Sequence, residues 1–291
     1  SLFILLSIIF LLKWIRYPDL VRADFNDPIA VNLFAVFFTS LLLLTALIRT
    51  YSFHSGFVLW IIASASTFIF TYALFTRWIS RQQNVLHALP GWSIPVLGIL
   101  DIPLTGWSYP GAAVHEICIF CFVIGLLFTG IVFILVFQRL IFQEGLAAAL
   151  QPTLLLLAGP FALLYANYEQ ITGKQDLIAD FFFYTSIFLL VLLGRKLVFS
   201  LSKVQFTITW WATSFPLAAI TASSFRFASH SPLPGAHIVL FILIGVSSLV
   251  FLILCFQTLH YILSNFVIKG CPKPRKRLSL NDYKASVMRV K

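Results

Sequence analysis

The stretch "TWWATSFPLAAITASSFRF", residues 209–227, is long and apolar enough to lie in a membrane, yet Pro216 interrupts it with hydroxyls on both sides. An interior proline costs a helix about 3 kcal/mol and frees a carbonyl. In hydrocarbon such a break survives where the backbone is buried in protein or lines a watery cavity. On a helix, Phe215 shares its face with Trp211, Ala212, Ala218, Ala219 and Ala222. The alanines line a wall without filling the space before it, and Thr213 and Ser214 can bond the carbonyl that Pro216 frees. A large apolar ring in a narrow path acts as a hydrophobic constriction. The alternative is that Phe215 is one of 31 phenylalanines packed between helices, and the residues alone leave both readings open.

The rest of the chain has the same character. It is 60% hydrophobic and 10% charged, with a mean hydropathy of +0.95, against about 25% charged residues in soluble domains. Lipid is therefore its main solvent. Only helices and closed barrels satisfy their backbone there, and these apolar runs are too long and continuous for barrel strands. Runs near 20 residues span as helices, which predicts spans at 1–15, 29–48, 56–78, 92–108, 112–140, 148–166, 177–198, 204–228 and 236–268. The expected class is an all-α polytopic membrane protein, with a transmembrane domain over 1–268 and a basic cytoplasmic tail over 269–291, disordered or held on the membrane surface. Because residue 1 already lies in an apolar run, the pattern reads as ten helices of which the first is missing, a cleaved signal peptide being the alternative.

The net charge of +10 follows topology. With a cytoplasmic C-terminus, all but three of the 20 Lys and Arg fall inside, the exceptions being Arg49, Lys174 and Arg226. No nucleic-acid partner is implied. Every basic residue also falls near a span end, so no buried arginine is expected to select anions.

Prolines alternate between spans. The runs 56–78, 112–140, 177–198 and 236–268 contain none, nor does the partial first run, whereas the alternating ones begin with or carry Pro28, Pro95 and Pro103, Pro152 and Pro160, and Pro216. Helical hairpins in two concentric layers would explain this: kinked helices inside, lining a central path at Pro95, Pro160 and Pro216, and straight ones facing lipid. The alternative is the general frequency of proline in membrane helices.

"WWATSFPLAAI" (210–220) resembles the ninth helix of the tellurite-resistance and C4-dicarboxylate transporter family, which includes the plant slow-type anion channels. "DPIAVNLF" (27–34) resembles the start of that family's third helix and "LLAGPFALLYANYE" (156–169) its seventh. The order of motifs holds along nearly the whole chain. The resemblance implies ten helices in five hairpins with quasi-fivefold symmetry, an anion pore in each protomer of a homotrimer, and a gating phenylalanine at Phe215. Phe34, Asp101, Ala212, Ala219 and Ala222 are further pore-lining candidates.

"IPVLGILDIPLTGW" (94–107) departs from the family by placing Asp101 at midspan. Such acids are costly and functional by default. Asp101 reads as a neutral carboxyl hydrogen-bonded across helices, as a proton-coupling site, or as lying shallower than its span suggests; ionised in a lumen it would repel anions. Asn32 and Thr39 could face the path. Asp176 and Asp180 suit a helix N-terminus, His115 and Glu116 an interfacial pair, and Cys118 and Cys121 of "CIFC" core packing. No catalytic set, cofactor motif or metal spacing is evident. The favoured expectation is a channel or uniporter for small inorganic or dicarboxylate anions in the plasma or bacterial inner membrane. The alternative is a proton-coupled C4-dicarboxylate carrier using Asp101.

Overall fold

The computed structural model describes residues 2–27, 29–201, 206–231 and 234–264. The described residues form ten α-helices and four 3-10 segments, with no strand. The helices are α1 (Leu2–Arg16), α2 (Pro18–Asn26), α3 (Val31–Tyr51), α4 (Phe53–Ser80), α5 (Ser93–Gly106), α6 (Ala112–Phe142), α7 (Gly159–Thr172), α8 (Leu177–Leu201), α9 (Ser214–His230) and α10 (Pro234–Ile262). Six stretches are long and apolar enough to cross a membrane, one of them the 3-10 segment Ala148–Leu157 run together with α7. The protein is an all-α polytopic membrane protein. The expected tail and Pro28 lie outside the described residues.

Nine helices answer the nine expected spans. The tenth, α2, occupies a polar stretch read as a connection. Pro18 opens it, where the missing N–H has no intrahelical partner anyway, and Asp19 suits its first turn. Lys13 pairs with Asp24 at 3.0 Å, tying α1 to α2. Arg77 of α4 donates to the carbonyls of Phe25 and Asn26 at 2.7 and 2.5 Å, satisfying the end of α2.

α3 packs on α4 and α5, α5 on α6 and α7, and α7 on α8 and α9, so inner helices follow one another while each hairpin adds an outer one. The outer α4, α6 and α8 have 28, 31 and 25 residues. At 1.5 Å per residue each is about 38 Å or longer, more than a bilayer core of about 30 Å. α6 buries one stripe, Val114, Cys118, Cys121, Gly125, Thr129, Val132, Val136 and Arg139, at intervals of three and four, and leaves Phe120, Leu127 and Ile134 exposed. The inner α5 and α7 have 14 residues each, about 21 Å. Every residue of α5 except Leu104 is buried, as is α7 from Gly159 to Asn167.

Pro95, Pro160 and Pro216 each lie in the first turn of an α-helix. The 3-10 segments Pro90–Trp92, Ala148–Leu157 and Ile208–Thr213 precede them. These prolines begin α-helices where their missing N–H costs little, and Pro103 alone among the four stands inside one. Around it the carbonyls of α5 find outside donors: Trp60 Nε1 of α4 reaches Ile102 O at 3.2 Å, and Asn167 Nδ2 of α7 reaches Leu100 O at 2.9 Å. Close approach supports this packing, since a Cβ at Gly106 would enter the Trp60 ring and one at Gly125 would overlap Leu100. Cys118 and Cys121 pack in the core with Leu42, Trp60, Ile99 and Ile102, as expected of small buried residues.

The chain divides into two compact units, with the boundary after Ser248 inside α10. The described part of the second unit is the remainder of that helix and the two residues after it.

Candidate functional site

α9 positions the opening motif. Its buried face, Leu217, Ile220, Ser223, Ser224 and Ala228, continues inward, and Ser223 Oγ donates to Ala162 O of α7 at 2.8 Å. The alanine face is the open one: Ala218 and Ala222 are exposed, Ala212 and Ala219 half-buried. Phe215, the second residue of α9, is half-buried between these faces. It has no ring contact among the described residues, whereas many of the other phenylalanines stack or meet edge-on.

Thr213 and Ser214 do not cap the carbonyl expected to be freed by Pro216, that of Ala212. Their hydroxyls donate three residues back, to Trp210 O at 2.8 Å and Trp211 O at 2.7 Å. That spacing matches the tighter 3-10 turn preceding α9. The starts of α7 and α9 meet α5 here, since a Cβ at Gly159 would stand 3.3 Å from Leu97 and 3.7 Å from Pro216. Two helix N-termini, with their partial positive charge, therefore lie inside the bundle.

The other candidates are distributed. Phe34 is half-buried and meets Phe10 and Phe25 edge-on at 5.8 and 5.6 Å, within an aromatic cluster that also draws in Phe38 and Phe70. Asn32 and Thr39 lie on the buried face of α3, and Thr39 Oγ1 approaches Gly98 of α5. Asp101 is fully buried and faces no open lumen. The cross-helix hydrogen bond expected of it is absent: both carboxyl oxygens lack a partner among the described residues. The donor at that level, Asn167, serves the neighbouring backbone carbonyl instead, leaving its own Oδ1 unpartnered.

Polar groups concentrate at the helix ends. At one end Arg49 bonds Ser108 and lies 5.1 Å from the Tyr109 ring centre, Arg226 pairs with Glu169 at 2.7 Å, and His115 stacks on Trp107 at 4.4 Å. Asp176 caps α8, accepting from the Ile178 and Ala179 amides at 3.1 and 3.2 Å. The Tyr168 hydroxyl, at 2.8 Å, contributes most to holding that carboxyl below the usual carboxylate range. The opposite end, where α1, α4 and α6 finish in Arg16, Arg77 and Arg139, is the basic end.

Sequence reasoning counted Arg139 only among the basic residues near span ends. It expected no buried arginine, yet Arg139 is 6% exposed, and its Nε and Nη1 reach no acceptor. The signal was present: Arg139 continues the three-and-four spacing of Gly125, Thr129, Val132 and Val136 on the buried stripe of α6. Among the described residues no group of His, Cys, Asp and Glu is arranged to hold a metal.

A sequence model of the family described as voltage-dependent anion channel, SLAC1, matches residues 1–259. The S-type anion channel SLAH2 of Arabidopsis thaliana is 27% identical over 254 residues, covering 86% of this chain and 48% of that protein. The S-type anion channel SLAH4 of the same plant is 26% identical, covering 85% and 68%. A protein described as an uncharacterized transporter, MJ0576 of Methanocaldococcus jannaschii, is 26% identical, covering 77% and 70%. The chain thus spans about half the length of SLAH2 and rather more of the other two. Matched along nearly its whole length, the chain belongs to the voltage-dependent anion channel family.

Proposed function

We propose that this protein is a passive anion channel or uniporter whose path runs along the open alanine face of α9 and is occluded by Phe215. The observation that carries this is the setting of Phe215: half-buried at the start of α9, without an aromatic partner among the described residues, beside the small side chains of Ala212, Ala218, Ala219 and Ala222. A ring held by aromatic packing would be structural; this one stands apart from that network. The first turns of α7 and α9 offer oriented N–H groups and partial positive charge to an anion, and a hydrophobic ring across the path gates by excluding water. Small inorganic anions or dicarboxylates pass in this reading, in a homotrimer of the plasma or bacterial inner membrane with a cytoplasmic C-terminus.

A second reading rests on Asp101, whose buried and unpartnered carboxyl suits a group that takes up and releases a proton. It makes the protein a proton-coupled carrier of C4-dicarboxylates or related anions. One experiment separates the two: anion flux in proteoliposomes for wild type, Phe215→Ala and Asp101→Asn, with and without a proton gradient. The channel predicts low wild-type flux that rises at least tenfold in Phe215→Ala, indifferent to the gradient. The carrier predicts gradient-driven uptake lost in Asp101→Asn, with no gain from Phe215→Ala. Unchanged flux in Phe215→Ala would sink the gate.

A further inference from the structure

The alanine stripe of α9 ends in a charge. Phe215, Ala219 and Ala222 follow one another at helical spacing, and the next step of that spacing is Arg226. It stands about three turns, or about 17 Å, beyond the phenylalanine on nearly the same side of the helix. Phe227, on the neighbouring face, stacks on Phe183 of α8 with ring centres 4.1 Å apart, which fixes the rotation of this helix end. The other basic residues at this end are placed elsewhere: Arg49 bonds Ser108 beneath the Tyr109 ring, and Lys174 lies in the connection from α7 to α8.

A second inner helix holds the guanidinium. Glu169, in the last turn of α7, accepts from Arg226 Nη1 through Oε2 at 2.7 Å. The carboxylate is the more sheltered partner, 14% exposed against 37% for the arginine side chain. His230, one turn further along α9, completes the group. Its Nδ1 meets Arg226 O at 2.9 Å, and because a carbonyl only accepts, that nitrogen carries the proton. Nε2 then faces the other carboxylate oxygen, Oε1, at 3.9 Å. Glu169 thus lies between two cationic or proton-bearing groups of α9, while the bond to it uses one N–H of a guanidinium that has five.

We propose that Arg226 is the selectivity residue at the mouth opposite the basic end, drawing a small anion onto the stripe that leads to Phe215, and that Glu169 is its positioning residue. A free guanidinium would hold an anion tightly, whereas conduction needs binding favourable enough to enter and weak enough to leave. Pairing with Glu169 sets that balance: the net charge is small, and the cation is the member turned more to solvent. The assignment rests on the channel reading of Phe215.

The test is chloride flux in proteoliposomes as a function of chloride concentration, with each substitution placed in the Phe215→Ala background. Arg226→Gln leaves Glu169 as an unpaired anion at the mouth and is expected to raise the half-saturating concentration about tenfold. Glu169→Gln should act the opposite way, lowering half-saturation about threefold and lowering maximal flux with it, because the unbalanced cation retains the ion. Arg226→Lys keeps the charge and should stay near the parent. Arg226→Gln combined with Glu169→Gln removes both charges and should fall between the two single variants. A half-open ion pair contributes little to stability, so all four should melt close to the parent. A purely structural clasp gives another pattern, in which the pair-breaking variants lose maximal flux and melting temperature together while half-saturation stays put. That pattern overturns the assignment, as does a half-saturation indifferent to Arg226→Gln. If Arg226→Gln does not fold, a Glu169→Gln half-saturation equal to the parent's is decisive against it. Failure of the channel reading looks different: Phe215→Ala then opens no flux. The same series is in that case read on the wild-type chain's own uptake, where unchanged half-saturation, or no uptake at all, removes the mouth assignment as well.

Discussion

α5 and α6 are neighbours in one hairpin and follow opposite rules. α6 is a continuous 31-residue helix without proline, burying one stripe and presenting the rest of its surface outward. α5 has less than half that length, contains Pro95 and Pro103, and buries nearly every side chain. The difference teaches where a membrane protein can place irregular backbone. A carbonyl left without a partner has no donor in lipid; next to Pro103 on α5, the carbonyls of Ile102 and Leu100 accept side-chain donors, Trp60 on α4 and Asn167 on α7. The outer helices thus supply more than a lipid-facing surface. One of them, α4, donates to an inner carbonyl through Trp60, while Asn167 does the same from one inner helix to another.

The sharpest break of this comparison lies within α6 itself. Gly125 faces Leu100 so closely that a Cβ would overlap it, whereas Gly130, one turn and a third along, has no neighbour within 4 Å. Gly125→Leu should cost about 3 kcal/mol by overpacking, seen as loss of a monodisperse, cooperatively melting protein in detergent. Gly130→Leu should melt like wild type. Equal behaviour of the two would mean that α6 does not present a fixed face to α5.

Next in size is the functional contrast between layers. Phe215→Ala on the inner α9 should raise anion flux tenfold or more. Phe188→Ala, on the exposed face of the outer α8, should leave flux unchanged. A comparable rise from both would locate the effect in general loosening of the bundle, not in a gate.

Much of this was legible in the sequence because lipid imposes a simple code: long apolar runs gave nine helices, and proline alternation separated inner from outer ones. Three things were not. α2 is a nine-residue amphipathic helix, and its short polar stretch carries little periodic signal. The 3-10 segments before α7 and α9 share their composition with the helices they feed, so hydrophobicity cannot mark the junction. Asp101 was legible as a midspan acid, but its lack of a partner depends on Asn167 choosing the Leu100 carbonyl, a choice made in three dimensions. Arg139 was readable and misread, because distance to a span end was weighed and helical phase was not.

That Asn167 bond sharpens the inner–inner contact, with a modest expected effect. Cross-helix hydrogen bonds in membranes average about 0.6 kcal/mol, and Asn167→Leu also removes a buried Oδ1 that has no donor. The net loss should therefore stay below about 1 kcal/mol, measured as a small drop in melting temperature. A loss several times larger would mean that Asn167 also holds Asp101.

The smallest effect belongs to the start of an outer helix, outside the hydrocarbon. Asp176 accepts from the Tyr168 hydroxyl and from two amides of the first turn of α8, and its carboxyl is held below the ordinary value, chiefly by Tyr168. A depressed carboxyl stabilises the fold where the unfolded chain's aspartate is ionised, above about pH 4, and that contribution fades as pH falls through the lower folded value. Asp176→Asn retains a capping side chain but not the charge, so wild type should melt slightly higher at pH 6 and the gap should close toward pH 3. A gap that widens on acidification would reverse the sign and place the stabilising interaction on the protonated acid. The inner helix starts carry no acid in their first turns, so this pH dependence should belong to the outer layer.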